Sequence, residues 1–405
     1  MAKFEDPVLI AGAGPVGLSL ALGLSRHGIP VEVFEADEDL SQEMRASTIH
    51  ASTLEMYEEW GVVDEIIARG EQSTRLQFWE RSTKTKIADL SFESIAGDTK
   101  YPFRLQCPQN LLTRVLRAEL ETIHTCRLHF GHKAINSYDD GQSVRLVVQT
   151  ANGSKTIKGS YLVGCDGAHS GVRQSLDFNL TGKTYADRFL LVGTNIDFNR
   201  YFEGVGPVAY IYDPKEWAII MKLPTMVRTV FRVNADEDRE IIMSETAIRR
   251  RIWDLIGCED PFEIQMSSIY SVHQRIADSF RKGRVILAGD AAHLNNPTGG
   301  MGLNSGVHDA YLLAQAFLRF SQGESDTVFD DYSTDRREAA SSWIQSASDE
   351  NYKDLVLEDW EARKKRNDAM TATAANQKAT REYLLNAALL RQRPRPLSSG
   401  RPNAK

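Results

Sequence analysis

Four cysteines in 405 residues, Cys107, Cys126, Cys165 and Cys258, are too few and too scattered for a disulfide framework, and none has metal-site spacing. A reducing compartment, the cytoplasm, is the expectation, with no bound metal. Positive charge is short as well. Lys and Arg number 48 against 55 Asp and Glu, a formal net charge of −7, which argues against a nucleic-acid partner. No apolar run approaches the ~20 residues that cross a bilayer. The opening MAKFEDPVLIAGAG carries an acidic pair where a secretory leader would be basic. There is no internal repeat. What remains is 42% hydrophobic and 25% charged, the balance of a globular protein with two or three domains or one large composite.

The chain then shows a β-α-β pattern. VLIAG (8–12) reads as a short buried strand, GLSLALGLSRHG (17–28) as an apolar helix, and VEVFEAD (31–37) as an alternating strand. Between the first two lies GAGPVG, with Gly12, Gly14 and Gly17 in GxGxxG spacing around Pro15 and Val16. Gly12 permits the tight turn, Gly14 lets the backbone approach a pyrophosphate, and Gly17 lets the helix pack close to the strand. Helix N-terminal N–H groups face the phosphates, and Glu35, at the end of the next strand, suits ribose hydroxyls. Such a loop fits NAD or FAD. Two further strand ends carry an acid: YLVGCDGAHSGVR with Asp166, and GRVILAGDAAH with Gly289 and Asp290. Three such ends suggest a long cofactor lying across the sheet, as FAD does.

Single helices fit 52–70 and 108–123. Residues 181–270 read as successive strands of a mixed or antiparallel sheet, the chain from about 330 as helical and charged, and the tail RQRPRPLSSGRPNAK as disordered. The amphipathic stretch REYLLNAALLRQ reads as a packing or dimer helix in preference to a membrane contact.

The loop at Gly12–Gly17, the Cys165-Asp166-Gly167 segment and Gly289-Asp290, in this order over about residues 7–320, resemble the single-component FAD-dependent aromatic hydroxylases, the family of p-hydroxybenzoate hydroxylase. RAST…TLEMYEEWGVVDEI and GDAAHLNNPTGGMGLNSGVHDAYLLA are similar to the phenol and 3-hydroxyphenylpropionate hydroxylase branch, without room for that branch's thioredoxin-like C-terminal domain. The resemblance implies an α/β fold: a Rossmann-like FAD-binding domain (1–74, 101–180 and 271–330), an inserted β-sheet substrate domain (75–100 and 181–270), C-terminal helices (331–390) and a tail (391–405). It implies that FAD is reduced by NADH or NADPH, takes up O2 as a C4a-hydroperoxide, and hydroxylates a phenol or N-heteroaromatic. Asp290 would bind the ribityl chain with Gly289 giving room, Arg45 would face the pyrophosphate, and Gln109 the ribityl or ring edge. Asp166 would touch cofactor and incoming nicotinamide nucleotide. Pro297 would flank the ring, and Gly300, Gly302, Leu303 and Asn304 would open a helix toward the flavin N1–C2=O edge.

Substrate-side candidates are Tyr210, Tyr212, Met221, Arg232, His273 and residues 296–300. Arg232 is either a carboxylate anchor or a sheet ion pair. His293 is either an acid–base group or a local hydrogen-bonding residue, and His169 and His308 are taken as structural. Another flavin oxidation, epoxidation or halogenation, is the alternative. Halogenases carry WxWxIP, and EWAIIMKLP lacks its second Trp. A non-catalytic flavin-binding sensor is a third reading. The expected partners are a small aromatic, O2 and NAD(P)H, with a homodimer left open.

Overall fold

A computed structural model describes residues 4–393. Its first sheet has six strands, ordered Arg281–Lys282, Val285–Leu287, Tyr161–Gly164, Val8–Ala11, Val31–Phe34 and Cys126–His129, parallel except for the first pair. The strands Val8–Ala11, Tyr161–Gly164 and Val285–Leu287 are buried at every position, as expected of parallel strands covered on both faces. The helix Pro15–Arg26 lies on one face, packed against the helices Gln109–Leu120 and Met301–Ser321. A three-stranded antiparallel sheet (Lys133–Asp139, Val144–Thr150, Gly153–Gly159) turns Val144, Leu146 and Val148 into the same core.

The second large sheet has eight strands, ordered His293–Leu294, Ile264–Ala277, Leu180–Thr194, Val227–Val233, Ala218–Lys222, Val208–Tyr212, Arg75–Glu80 and Thr85–Ser91. Alternation divides it between two cores. Phe189, Leu191 and Val230 join the core shared with the first sheet, whereas Leu190, Val192 and Phe231 face Ile248, Ile252 and Leu255 of the helix Glu245–Ile256. Ser244 caps that helix, its Oγ accepting from the Ala247 N–H at 3.3 Å, and Gly257 ends it in the left-handed region. Leu180–Thr194 and Ile264–Ala277 each run across an expected domain border, so the sheet also takes in residues 271–277 and 293–294.

The single helix expected over 52–70 is two, Ala51–Glu59 and Val63–Ile67. Gly61, at φ +75°, turns the chain between them, and the apolar pattern continues because both pieces pack on the same core. The helix Val328–Ala339 packs on the helix Met301–Ser321 and the strand Arg281–Lys282 of the first sheet, and the helix Trp360–Ala375 on the strand Thr85–Ser91 of the second. In REYLLNAALLRQ the helix Gln377–Ala387 buries Leu384 and Leu385, and Ala388 and Leu389, just past its end, are buried as well, so the stretch packs on the protein. Most of the tail expected to be disordered, residues 394–405, lies outside the described residues.

Candidate active site

Adjacent strands bring the three motifs to one edge of the first sheet. Gly12 follows Val8–Ala11 at φ +101°, and a Cβ there would lie 2.5 Å from the Cys165 carbonyl oxygen. A Cβ on Gly17 would run into the Gly12 carbonyl. Val16 presses on the third motif, since a Cβ on Gly289 would meet its Cγ2 at 2.8 Å and one on Gly306 at 2.5 Å. Nothing lies within 4 Å of a Cβ placed on Gly14. Steric contact therefore locks the motifs together at Gly12, Gly17 and Gly289, while Gly14 faces open space.

A cleft opens beside Gly14, lined by Ala13, Gly14, Pro15, Glu35, Gln109 and Thr113 among others. Pro15 sits in the first turn of its helix, where a missing N–H costs nothing. Glu35 accepts from the Ala13 N–H at 2.7 Å and the Asp37 N–H at 3.1 Å, which holds the loop and orients the carboxylate. Gln109 accepts from the Ala46 N–H at 3.4 Å, in the same cleft as Glu35. Arg45 is exposed and paired with Glu43 at 2.6 Å.

Asp166 turns back into its own loop. Its carboxylate accepts from Ser170 Oγ at 2.5 Å and from the Val172 N–H at 3.1 Å, so the side chain serves the turn. Asp290 is exposed at the strand end yet ringed by protein. That desolvation pushes its carboxyl up, against the pull of His293 and Arg45. Gly299 and Gly300, at φ +95° and +71°, follow the exposed Pro297 and open the helix Met301–Ser321, with the Gly300 N–H donating to the Pro297 carbonyl at 3.0 Å. Asn304 is fully buried and engaged. It accepts from the His50 N–H at 2.9 Å and donates to the carbonyls of Thr48 and Gly300 at 2.9 and 2.7 Å. Gly302 and Leu303 remain half-exposed.

Three candidates do other work. His293, carried as an acid–base candidate, is 1% exposed and bonds Asp309 through Nε2 at 2.7 Å, which is the local hydrogen-bonding role. Tyr212 is buried against Phe78, with the Arg366 guanidinium 3.7 Å above its ring. Arg232 is the sheet ion pair, its Nε 2.7 Å from Asp187. Tyr210 stacks on Phe78 at 5.4 Å. Half-buried His273 meets Thr184 Oγ1 at 2.9 Å, and burial and then Arg275 lower its pKa. Met221 is half-buried on the same face as Arg228. His308 is structural, fully buried and 3.1 Å from Ser52 Oγ, with burial lowering its pKa to about 3. His169 is exposed.

The sequence reading missed four buried charged residues. Arg173 donates to the carbonyls of Ala168 and Ala291, both at 2.9 Å, and so ties the second motif to the third. Arg228 reaches from the large sheet to the carbonyls of Met44 and Arg45, and burial brings its pKa down to about 10. Asp309 and Arg336 pair at 2.5 Å. The one visible signal was an acid inside the apolar helix GVHDAYLLA.

The residues fit FAD. The glycine contacts leave a backbone cradle at Gly14. Among the described residues, the buried amide nitrogen of Gln106 has no partner in the protein, and it lies near the Thr48–Gly300 wall, suited to an acceptor-rich ring. A family described as FAD binding domain matches residues 5–347.

The chain belongs to that family.

It is 31% identical over 94% of its length to para-nitrophenol 4-monooxygenase of Pseudomonas sp. (strain WBC-3), covering 95% of that protein. It is 33% identical over 87% of its length to 6-hydroxy-3-succinoylpyridine 3-monooxygenase HspB of Pseudomonas putida (strain DSM 28022 / S16), covering 90% of it. The crystal structure of p-nitrophenol 4-monooxygenase PnpA from Pseudomonas putida DLL-E4 superposes with a TM-score of 0.87 at 29% identity, covering 94% of this chain and 97% of that one. This FAD-binding protein is an aromatic monooxygenase of the single-component class, with O2 and a reduced nicotinamide nucleotide as co-substrates. These relatives support hydroxylation, not halogenation or a sensor role. No helix among the described residues is long and apolar enough to cross a membrane.

Proposed function

We propose that this flavoprotein oxygenates a phenol or hydroxypyridine at the ring carbon para to the hydroxyl, where a substituent is displaced. The observation that carries the cofactor part is the meeting of Gly12, Cys165 and Gly289 at one sheet edge, beside the glycine-opened helix. The ring position is supported by two relatives. Para-nitrophenol 4-monooxygenase and 6-hydroxy-3-succinoylpyridine 3-monooxygenase both carry names that put oxygen on the substituted carbon opposite the hydroxyl. For a para-X phenol the balance is phenol + O2 + NAD(P)H + H+ → quinone + HX + H2O + NAD(P)+.

Bound FAD supplies the electron transfer from NAD(P)H to O2. The chain's residues bind and orient. Gly12, Gly14, Pro15, Val16 and Gly17 hold the pyrophosphate with helix N–H groups, with Arg45 as counter-charge, and Glu35 takes the ribose. Gln109 supports the pyrophosphate side, and Asp290 faces the ribityl chain. Gly300, Gly302 and Leu303 direct the helix N-terminus at the ring edge, where anionic charge collects on reduction, and Asn304 fixes that helix end. Pro297, without an N–H, walls the ring from water. The large sheet presents the substrate surface through Tyr210 and Met221. His273 is the residue proposed to take the hydroxyl proton, a reading supported by its lowered pKa and by the pairing of its strand, at Arg275, with Leu294 just before Pro297. Arg232, already neutralised by Asp187, weighs against a substrate carboxylate bound there. The working division is residues 1–74, 101–180 and 271–330 for FAD and 75–100 with 181–270 for substrate. Four free cysteines and the need for reduced nicotinamide favour the cytoplasm, and a homodimer would show in light scattering.

The test is turnover of p-nitrophenol and 4-chlorophenol by the yellow holoenzyme. Release of one nitrite or chloride and one quinone per NAD(P)H is expected, or one anion per two NAD(P)H where a second NAD(P)H reduces the quinone to hydroquinone. Catechol formation without anion release would overturn the para assignment, and absence of any aromatic-stimulated NAD(P)H oxidation would overturn the reading as a whole.

A further inference from the structure

Asp309 sits in the middle of an apolar helix, between His308 and Ala310, and is 0% exposed. A charge buried that deeply is costly unless every lone pair is used. Here each oxygen is engaged. Oδ2 accepts from the Gly289 N–H at 2.9 Å and from His293 Nε2 at 2.7 Å. Oδ1 accepts from Nε of Arg336, itself 3% exposed, at 2.5 Å. Burial alone would raise this carboxyl, and His293 and Arg336 bring it down to about 2, so it is an anion. Arg336 belongs to the helix Val328–Ala339 and also meets Ser305 Oγ at 3.2 Å.

The Gly289 peptide is the one that aims Asp290. Gly289 lies in the left-handed region at φ +62°, and its turn closes with the Ala292 N–H donating to the Gly289 carbonyl at 2.8 Å. One side of this turn is held by Asp309 at the Gly289 N–H. The other is held by Arg173 at the Ala291 carbonyl, at 2.9 Å. A three-residue turn pinned at both ends has little freedom to re-aim its exposed acid.

We propose that Asp309 is a positioning residue for the cofactor, latching the Gly289 peptide so that Asp290 meets the ribityl chain, with Arg336 as the counter-charge of the buried carboxylate. The proposal rests on the reading of Asp290 as a cofactor contact. It separates the latch, which uses Oδ2, from the ion pair, which uses Oδ1.

Two double variants make that separation. D309N/R336M removes the ion pair but leaves an amide oxygen where Oδ2 stood, so the bonds to Gly289 and His293 persist. D309L/R336M removes both and fills the space with apolar atoms. FAD dissociation is read from the fluorescence of released flavin, and the apoprotein's fold from far-ultraviolet circular dichroism and thermal melting. FAD affinity within about threefold of the unaltered protein is expected for the asparagine pair, and a loss of about tenfold or more for the leucine pair with its apo fold intact. Equal FAD affinity in the two doubles would overturn the latch. If the leucine pair does not fold, D309S/R336M takes its place, because a serine oxygen stops short of the Gly289 N–H, and the same loss is expected. Asp290→Ala, which leaves no side-chain acceptor, separates the underlying reading. Unchanged FAD affinity in that variant would overturn the Asp290 contact and with it this route. Weakening there without weakening in the leucine pair would overturn the latch alone.

Discussion

Around Gly12 the molecule is held by missing side chains, whereas around Arg232 it is held by long ones reaching across strands. In the first region the motifs touch backbone to backbone, and a single added carbon collides with a carbonyl. In the second, Arg232 meets Asp187 across 45 residues of sequence, and Tyr352 of a C-terminal helix bonds the same carboxylate. Close steric contact demands one residue type and leaves a fixed short motif. An ion pair between distant strands demands only complementary charge, and its partners can be told only once the strands are side by side.

The sharpest way to break this comparison is within the glycine loop. Gly17→Ala drives a methyl into the Gly12 carbonyl and should cost about 3 kcal/mol or more of apoprotein stability, with FAD lost on gel filtration. Gly14→Ala, facing open space, should leave apoprotein melting unchanged and still weaken FAD. Equal melting of the two variants would show that packing does not distinguish these glycines. Next in size is Arg232→Met, which strands the buried Asp187 carboxylate. It should lower stability by about 2–3 kcal/mol in denaturant titration while FAD affinity stays put.

The helix Met301–Ser321 and the Gly299 turn before it carry a pH signature. His50 and His308 are buried and held neutral, His50 by burial and then Arg104, and His308 by burial and Arg336 against the opposing Asp309. The unfolded chain takes protons on both near pH 6.5, and the folded chain refuses them. Stability should therefore be full above about pH 6.5 and fall below it, by about 1.4 kcal/mol per pH unit for each site that stays neutral, with the His308 contribution levelling off near pH 3. Asp309, depressed to about 2, adds a further loss below its unfolded value of 3.8. His308→Gln should flatten the slope by one proton in urea titrations at a series of pH values. The smallest effect belongs to Tyr212→Phe. With its ring under Arg366 and far from any reacting role, kcat should stay within about twofold, whereas His273→Asn should lower kcat and shift its pH profile.

The sequence alone determined the β-α-β opening, the three acid- or glycine-bearing strand ends and their order, and the family resemblance that the relatives bear out. These follow from local rules: strand alternation, helix periodicity, and the narrow sterics that admit only glycine at a left-handed turn or a close approach. It did not show that Asp166 folds back into its own turn, that His293 answers to Asp309, or that Arg173 and Arg228 cross between segments more than a hundred residues apart. Tertiary structure decided those, because a buried charge is tolerable only beside partners that the fold delivers, and one chain read in order does not say which distant groups arrive there.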